Sequence, residues 1–504
     1  MSGDYPIVLP LAAVSGTFSP HIQAVKTMRV VEDTQFKLGQ VPIDQIEFFP
    51  KDRDDIPAVL YGLQHLYCDT TARKKIFEIL EKRLLPGINL QRGRPGMSLW
   101  RIFVLGVLQK ALDCDFDRLR NLADHHRQVR QMLGHADFFD KTPYQLQTII
   151  DNVSLLTEDI LEEINKVVVD CGHRLVKKTK KRSEDPLRCR VDSSVAKTHV
   201  HWPTDVGLLW DAVRCLLREV HRTCRLHRIA GWRKSMYWSR ELRRAFYRVR
   251  THRQWRDVSK VESYLSLCRK VVSRAEATAS DLAERGIAHT KILRYLHDAQ
   301  RQIDQVDRRL VQGEVIPHGE KVFSIHEPHT RWINKGKAGV IAELGLPVCV
   351  LEDQHQFILQ HEVLRTGGDS DMIVSFLKKA KRRYPAMTSC SMDKGYYSWS
   401  NRQELDRVLD LNVMPKKGGL TQEDWHREQA VDFAEARRQH PGVESAINNL
   451  NQRGLSLIRT HGEEGFVRTV ALVVVAANVH RLGLLLKQKE KRRRRWHQAR
   501  SRAA

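Results

Sequence analysis

The 504-residue chain is short of three things. It has no long apolar run: the longest, residues 470–477, stops at Asn478 and His480. That is well under the ~20 residues a bilayer-spanning helix needs, so no membrane span is expected. It has too few acids for its bases: 84 Lys and Arg face 60 Asp and Glu, a formal net charge of +24. Such an excess favours a polyanionic partner, above all nucleic acid. And its cysteines are neither paired nor clustered: nine lie far apart along the chain. The odd, scattered set argues against a disulfide framework and for reduced thiols in a cytoplasmic protein. Cys215, Cys224 and His227 lack a fourth ligand at finger spacing, so zinc is set aside there. The first residues carry Asp4 and no basic stretch, so no signal peptide is expected. With 41% hydrophobic and 29% charged residues, the length suits a soluble, multidomain protein with a large core.

What is present begins, for function, at residues 187–194. Leu187, Cys189 and Val191 alternate with Arg188, Arg190 and Asp192, the pattern of a β-strand with two unlike faces. Pro186 stands where a strand can start. The strand is expected to end at Asp192, with Ser193 and Ser194 turning the chain. Before it, residues 1–90 have no clear structure beyond a helical pattern over 60–85, and 91–176 read as an all-helical domain. Arg92-Gly93-Arg94-Pro95 opens that domain and suits either a minor-groove hook or a loop before the helix at 99–112. The short helices at 116–123 and 128–133 allow a helix-turn-helix, so this domain is a candidate DNA binder.

After 204 the chain turns basic and helical to about 320. Residues 221–260 hold 13 Lys and Arg against two acids, Glu241 and Asp257. Trp232, Tyr237, Trp238, Phe246, Tyr247 and Trp255 interleave with cations such as Arg233 and Lys234, a mixture suited to phosphate contact and base stacking. Ile292, Leu296, Ala299, Ile303, Val306 and Leu310 recur at spacings of four and three, a coiled-coil-like seam. It could close a helical hairpin within the chain or join two chains. Strands are expected at 321–325, 340–351, 356–363 and 386–393, the last again ending in an Asp, Asp393. Lys394 and Tyr397 follow it and could contact a phosphate or a base. His329 and Arg331 could line a groove or merely a loop. A helix starting near 441 carries Glu444 in its first turn. A core helix follows over 466–486, and the tail, 487–504, holds nine basic residues, Arg492 and Arg493 among them.

Two strand ends and a helix start can present Asp192, Asp393 and Glu444 at one point. Three carboxylates without Cys or His suit hard cations, Mg²⁺ or Mn²⁺. Two such ions can activate an attacking oxygen and stabilise a leaving one in phosphodiester displacement.

The stretches Val191-Asp-Ser-Ser, residues 321–333 with 335–339, Met392-Asp-Lys-Gly-Tyr-Tyr397 and Val443-Glu-Ser-Ala-Ile-Asn448 resemble DDE transposases of bacterial insertion sequences. The likeness is greatest to the once-unclassified group with the IS1202-like elements, and weaker to the IS5 and IS1182 groups. It implies an α/β, RNase H-like mixed sheet flanked by helices, over 187–204 and 321–486. The helical N-terminal domain would precede this core, and the basic helical insertion, 205–320, would follow its first catalytic strand. It implies the metal-binding, catalytic triad Asp192, Asp393 and Glu444 with two Mg²⁺ or Mn²⁺ ions. The activity implied is cleavage at element ends and transfer of the 3′-hydroxyl into target DNA. The partners would be terminal inverted repeats and target DNA, bound by a homodimer or larger oligomer in the bacterial cytoplasm, at the nucleoid. A related signature places a Tyr and an Arg before the Glu and a Lys seven after it. Here Arg437 and Arg438 precede Glu444, the Tyr is missing, position 451 is Asn, and Arg453 is the candidate replacement for phosphate contact. A non-catalytic DNA-binding protein of the same fold, and a nuclease that cuts without joining, are the alternatives.

Overall fold

The computed structural model describes residues 30, 32, 38–48, 54–84, 96–138, 140, 142–180, 186–250, 257–334 and 341–503. The Arg92–Pro95 segment, Trp255 and residues 335–339 lie outside them.

Among the described residues the chain is mixed α/β, built on one seven-stranded sheet. Its strands are β1 (Leu187–Thr198), β2 (Arg331–Ile333), β3 (Glu343–Asp353), β4 (Ile358–Val363), β5 (Met387–Ser391), β6 (Leu411–Val413) and β7 (Leu457–Ile458). β3 runs antiparallel to β1, and both β2 and β4 run antiparallel to β3 along its other edge. β5 runs parallel to β1 and β6 parallel to β5. β7 also lies parallel to β1, but beside its far end, at Lys197 and Thr198. Between β5 and β7, one edge of β1 is therefore left open.

Two expected strands differ. β1 does not end at Asp192; it continues to Thr198 because Val195, Ala196 and Thr198 are buried. Asp192 stands mid-strand, and the strand that ends beside it is β5. Residues 321–325 form no strand. Ile325 and Val322 instead cover the core of the insertion, and the pairing segment begins at Arg331.

Helices α1 (Asp55–Cys68), α2 (Thr70–Leu84), α3 (Leu99–Ala111), α4 (Phe116–His125), α5 (Arg127–Met132), α6 (Leu146–Val153) and α7 (Glu158–Lys180) precede the sheet. Asp54 and Asp115 cap α1 and α4 through Ile56 N and Arg118 N. The helical region is not walled off. Leu99, Phe103 and Leu161 share one hydrophobic core with Val191, Leu351 and Phe376.

The insertion has a core of its own, made by α8 (Asp205–Leu226), α9 (Ser235–Arg250), α10 (Val258–Glu284) and α11 (Thr290–Val306). It is a four-helix body rather than a hairpin. The seam from Ile292 to Val306 is buried inside it against α8 and α10, so it offers no free face. At its neck Arg309 pairs with Asp205 at 2.9 Å.

After the sheet's main strands come α12 (Asp369–Arg383), α13 (Trp399–Asp406), α14 (Gln422–Gln429), α15 (Val431–Gln439), α16 (Gly442–Leu450) and α17 (Glu463–Ala503). α17 joins the expected core helix and the basic tail in one element. It is long and apolar enough to cross a membrane by length and composition, yet most of its apolar stretch is buried in the protein. Val470, Val473, Val474 and Val475 are fully inaccessible. α17 crosses α1 so closely that a Cβ at Gly62 would lie 2.2 Å from Val479 O, and one at Gly483 1.7 Å from Ala58 O. Only glycine permits that approach. All nine cysteines are free thiols, and all but Cys68 are buried.

Candidate active site

β1 divides its side chains as its alternation predicts. Cys189 and Val191 enter the core shared with α7 and α12, while Arg190 and Asp192 face the other way. On that opposite face, Val350 of β3 is the register partner of Asp192 and packs with Val443 and Ile447 of α16. α16 therefore lies over the face that carries Asp192.

The parallel pairing of β1 with β5 sets the second carboxylate. Arg188 registers with Ser389 and Arg190 with Ser391. Two residues beyond the last pair stand Asp192 and Asp393, on strands whose spacing is ~4.8 Å. Asp393 sits where it could cap the short turn of 3-10 helix Lys394–Tyr396, but its side chain makes no cap hydrogen bond. It turns instead to His440 Nε2 at 3.1 Å and Arg437 Nη1 at 3.5 Å.

His440 was not singled out by the sequence. It is buried, and its Nδ1 lies 3.1 Å from Ser391 Oγ. Burial pushes its imidazole below the usual value, against the pull of the Asp393 charge. In the neutral ring the Ser391 hydroxyl donates to Nδ1 and Nε2–H donates to Asp393. The only sequence signal was a histidine four residues before Glu444.

Glu444 arrives with α16. The turn before it is fastened to β1 by Arg190, which donates to Gln439 O at 3.0 Å and pairs with Glu352 at 2.7 Å. Burial pushes the Glu352 carboxyl up to about 7, with Arg190 opposing. Gly442 is seated on this guanidinium: a Cβ there would lie 1.9 Å from Nη1. Glu444 is exposed, and its carboxylate has no hydrogen bond or ion pair to the described residues. Asp192 lies on the sheet face that α16 covers, Asp393 follows the neighbouring strand β5, and Glu444 stands in the first turn of α16. They are an all-oxygen set that suits Mg²⁺ or Mn²⁺. Their donor atoms are not all within 4.8 Å of one another, so the structure does not bring the three to metal-bridging distance. A cleft of about 440 Å³ adjoins the site, lined by Arg188, Arg190, Ser391, Glu435 and Gln439.

The cations expected to hold DNA fall into two sets. Arg438 and Lys394 are exposed near the carboxylates; Arg233 and Lys234 are exposed on the insertion, and Arg492 and Arg493 on α17. Arg437 is committed to Asp393 and to Met392 O at 3.0 Å. Arg453 is a correction: it is 4% exposed, with Nη2 2.7 Å from His480 Nδ1 and Nη1 on Asn449 O, so it braces α17 and cannot reach a phosphate. Trp232 is a second correction. It is buried with its Nε1 on Thr278 Oγ1 and Arg274 over its ring, so it cannot stack on a base. Phe246 is also buried, whereas Tyr237 and Tyr247 are exposed. Tyr397 is half-buried against the main core. Arg331 donates to Leu364 O and Gly367 O, and half-buried His329 packs on Phe466, so both serve the fold where they stand.

No protein-family model matches the chain, and no curated protein or solved structure is significantly similar to it.

Proposed function

We propose that the protein is a DDE transposase with an RNase H-like core. It would cleave DNA strands at the ends of an insertion sequence and transfer the 3′-hydroxyl into target DNA. One observation carries this reading: Asp192 and Asp393 stand two residues beyond a registered pair on adjacent parallel strands, under the helix that carries Glu444. The mixed sheet, with antiparallel strands followed by strands parallel to the first, supports the RNase H-like assignment. The net charge of +24 supports DNA as the partner.

Asp192, Asp393 and Glu444 would hold two Mg²⁺ or Mn²⁺ ions. Bound ions would activate the attacking oxygen and stabilise the leaving one. The chain's own residues position the ligands. His440 and Arg437 fix the Asp393 carboxylate, and Arg190 anchors the turn that sets Glu444. Arg438 and Lys394 offer exposed positive charge to phosphates beside the site. Arg233, Lys234, Arg492 and Arg493 offer it further away, where terminal inverted repeats and target DNA would bind. A homodimer or larger oligomer would bring two ends together, in the bacterial cytoplasm.

The test uses duplexes from the DNA flanking the gene, pre-cleaved to expose a 3′-hydroxyl, mixed with plasmid and Mg²⁺ or Mn²⁺. The wild-type chain should produce joined product. Asp192→Asn, Asp393→Asn and Glu444→Gln should each abolish joining while still shifting the duplex in a gel. Wild-type joining by Asp192→Asn would refute the proposal. Cleavage without joining would favour the nuclease, and binding alone the non-catalytic protein.

A further inference from the structure

A second group of ligand-type side chains lies outside the carboxylate site. Glu158 and Glu162 stand one helical turn apart on α7, so both carboxylates occupy one face. His361 lies on β4, whose partner Val350 pairs on its other side with Asp192. One donor atom from each of Glu158, Glu162 and His361 lies within 4.8 Å of the other two. Among the described residues, no other trio of His, Cys, Asp and Glu is gathered so closely.

Three features separate this trio from an ordinary acidic patch. His361 is 3% exposed, and its Nε2 is buried with no hydrogen-bond partner among the described residues. A buried polar atom of that kind calls for an occupant. Burial pushes the imidazole down to about 4, so the ring is neutral, the form that binds a metal. Burial and the neighbouring Glu162 push the Glu158 carboxyl up, and no hydrogen bond or ion pair to the described residues satisfies it. Glu162 is partly answered: Lys379 Nζ lies 3.4 Å from its carboxylate and Arg383 Nη1 3.4 Å. Lys379 and Arg383 both belong to α12, so an ion held by Glu162 would compete there with two cations already in place.

We propose that Glu158, Glu162 and His361 form a binding site for a first-row divalent ion such as Zn²⁺, tying α7 to the edge strand β4. One imidazole nitrogen and two carboxylates suit such an ion better than Mg²⁺, which prefers oxygen alone. The site is independent of the transposase reading, because none of its three residues belongs to the Asp192 group.

The test is Zn²⁺ titration of the full-length Asp192→Asn chain, which weakens the other carboxylate site, followed by calorimetry and thermal melting. One Zn²⁺ per chain should bind and raise the melting temperature. Glu158→Gln and His361→Asn should each weaken that binding at least ~10-fold, since losing even an outer-shell partner costs that much. Asp393→Asn should leave it unchanged. Circular dichroism of Glu158→Gln checks that the fold persists if His361→Asn does not fold. Absence of a stoichiometric ion, or a wild-type affinity in folded Glu158→Gln, would overturn the proposal.

Discussion

His440 bridges Ser391 and Asp393, with 3.1 Å on each side of its ring. The bridge joins the last residue of β5 to the carboxylate that follows it, through a side chain from the turn between α15 and α16. The turn that delivers Glu444 thus also orients Asp393. Two of the three carboxylates are set by one connection.

Replacing His440 should therefore weaken the site without unfolding the chain. If the chain joins DNA strands as proposed, His440→Ala should lower that metal-dependent joining about 10–100-fold, the usual cost of losing an orienting partner. His440→Gln, which can still donate to Asp393, should recover part of that loss. A merely structural role would lower stability and leave the Mn²⁺ concentration for half-maximal joining unchanged. Titrating Mn²⁺ against joining rate in both variants separates the two roles.

Gly442→Ala reverses a usual expectation. Within a helix, Ala is more favourable than Gly by about 1 kcal/mol. At Gly442 the added methyl meets Arg190, whose guanidinium is held by Glu352 and Gln439 O and cannot simply swing away. Overpacking of this kind costs about 1–3 kcal/mol. Gly442→Ala should lower the urea midpoint and, by shifting α16, reduce joining as well. A chain as stable and active as wild type would show that α16 tolerates the shift.

Much of this was legible from local pattern. Alternation over 187–192 gave β1 its two faces, and Glu444 stands in the first turn of its helix as expected, whereas β5 stops at Ser391, two residues short of Asp393. What escaped was long-range. Nothing near Arg453 or Trp232 in the sequence shows that α17 and α10 cover them; a basic or amphipathic residue reads as surface until tertiary packing claims its stem. β7 has only two residues, too few for a periodicity. His440 matters because a turn folds back onto β5, and spacing alone does not reveal that. The seam of α11 shows in the sequence, but its partners α8 and α10 are spread over some eighty residues, so periodicity alone does not distinguish a hairpin or a two-chain seam from the four-helix packing.

The neck of the insertion carries a pH dependence. Asp211 of α8 lies 2.6 Å from His201 Nε2 and 3.7 Å from His326 Nε2, which belong to the two chain segments linking insertion and sheet. The Asp211 carboxylate raises both imidazoles, His201 through a hydrogen bond and His326, where Cys215 adds to it, to about 9, while burial opposes it. A histidine whose folded value exceeds its unfolded ~6.5 stabilises fully below that value and loses the contribution as pH rises through the folded one. Both rings are partly exposed, so screening holds the effect to about 1 kcal/mol or less. The melting temperature should fall between pH 6.5 and 9, and His326→Asn should flatten that slope. An unchanged slope in His326→Asn would place the titration elsewhere.

Arg438 and Arg453 should behave as opposites although both are arginines near Glu444 in sequence. Arg438 is exposed and has no hydrogen bond or ion pair to the described residues, so Arg438→Ala should leave the melting temperature alone. If it holds one phosphate, its loss should reduce the salt dependence of DNA binding by about 0.9 in log–log slope. Arg453 is buried and linked through His480 to Asp55, joining the segment after α16 to α17 and α1. Arg453→Ala leaves buried groups without partners and should destabilise the chain by about 1–3 kcal/mol. Its DNA affinity per folded molecule and its salt slope should match wild type. Binding measured at several salt concentrations, beside urea melts of the same preparations, decides the matter. A salt-slope change in Arg453→Ala, without loss of stability, would return that arginine to the DNA surface.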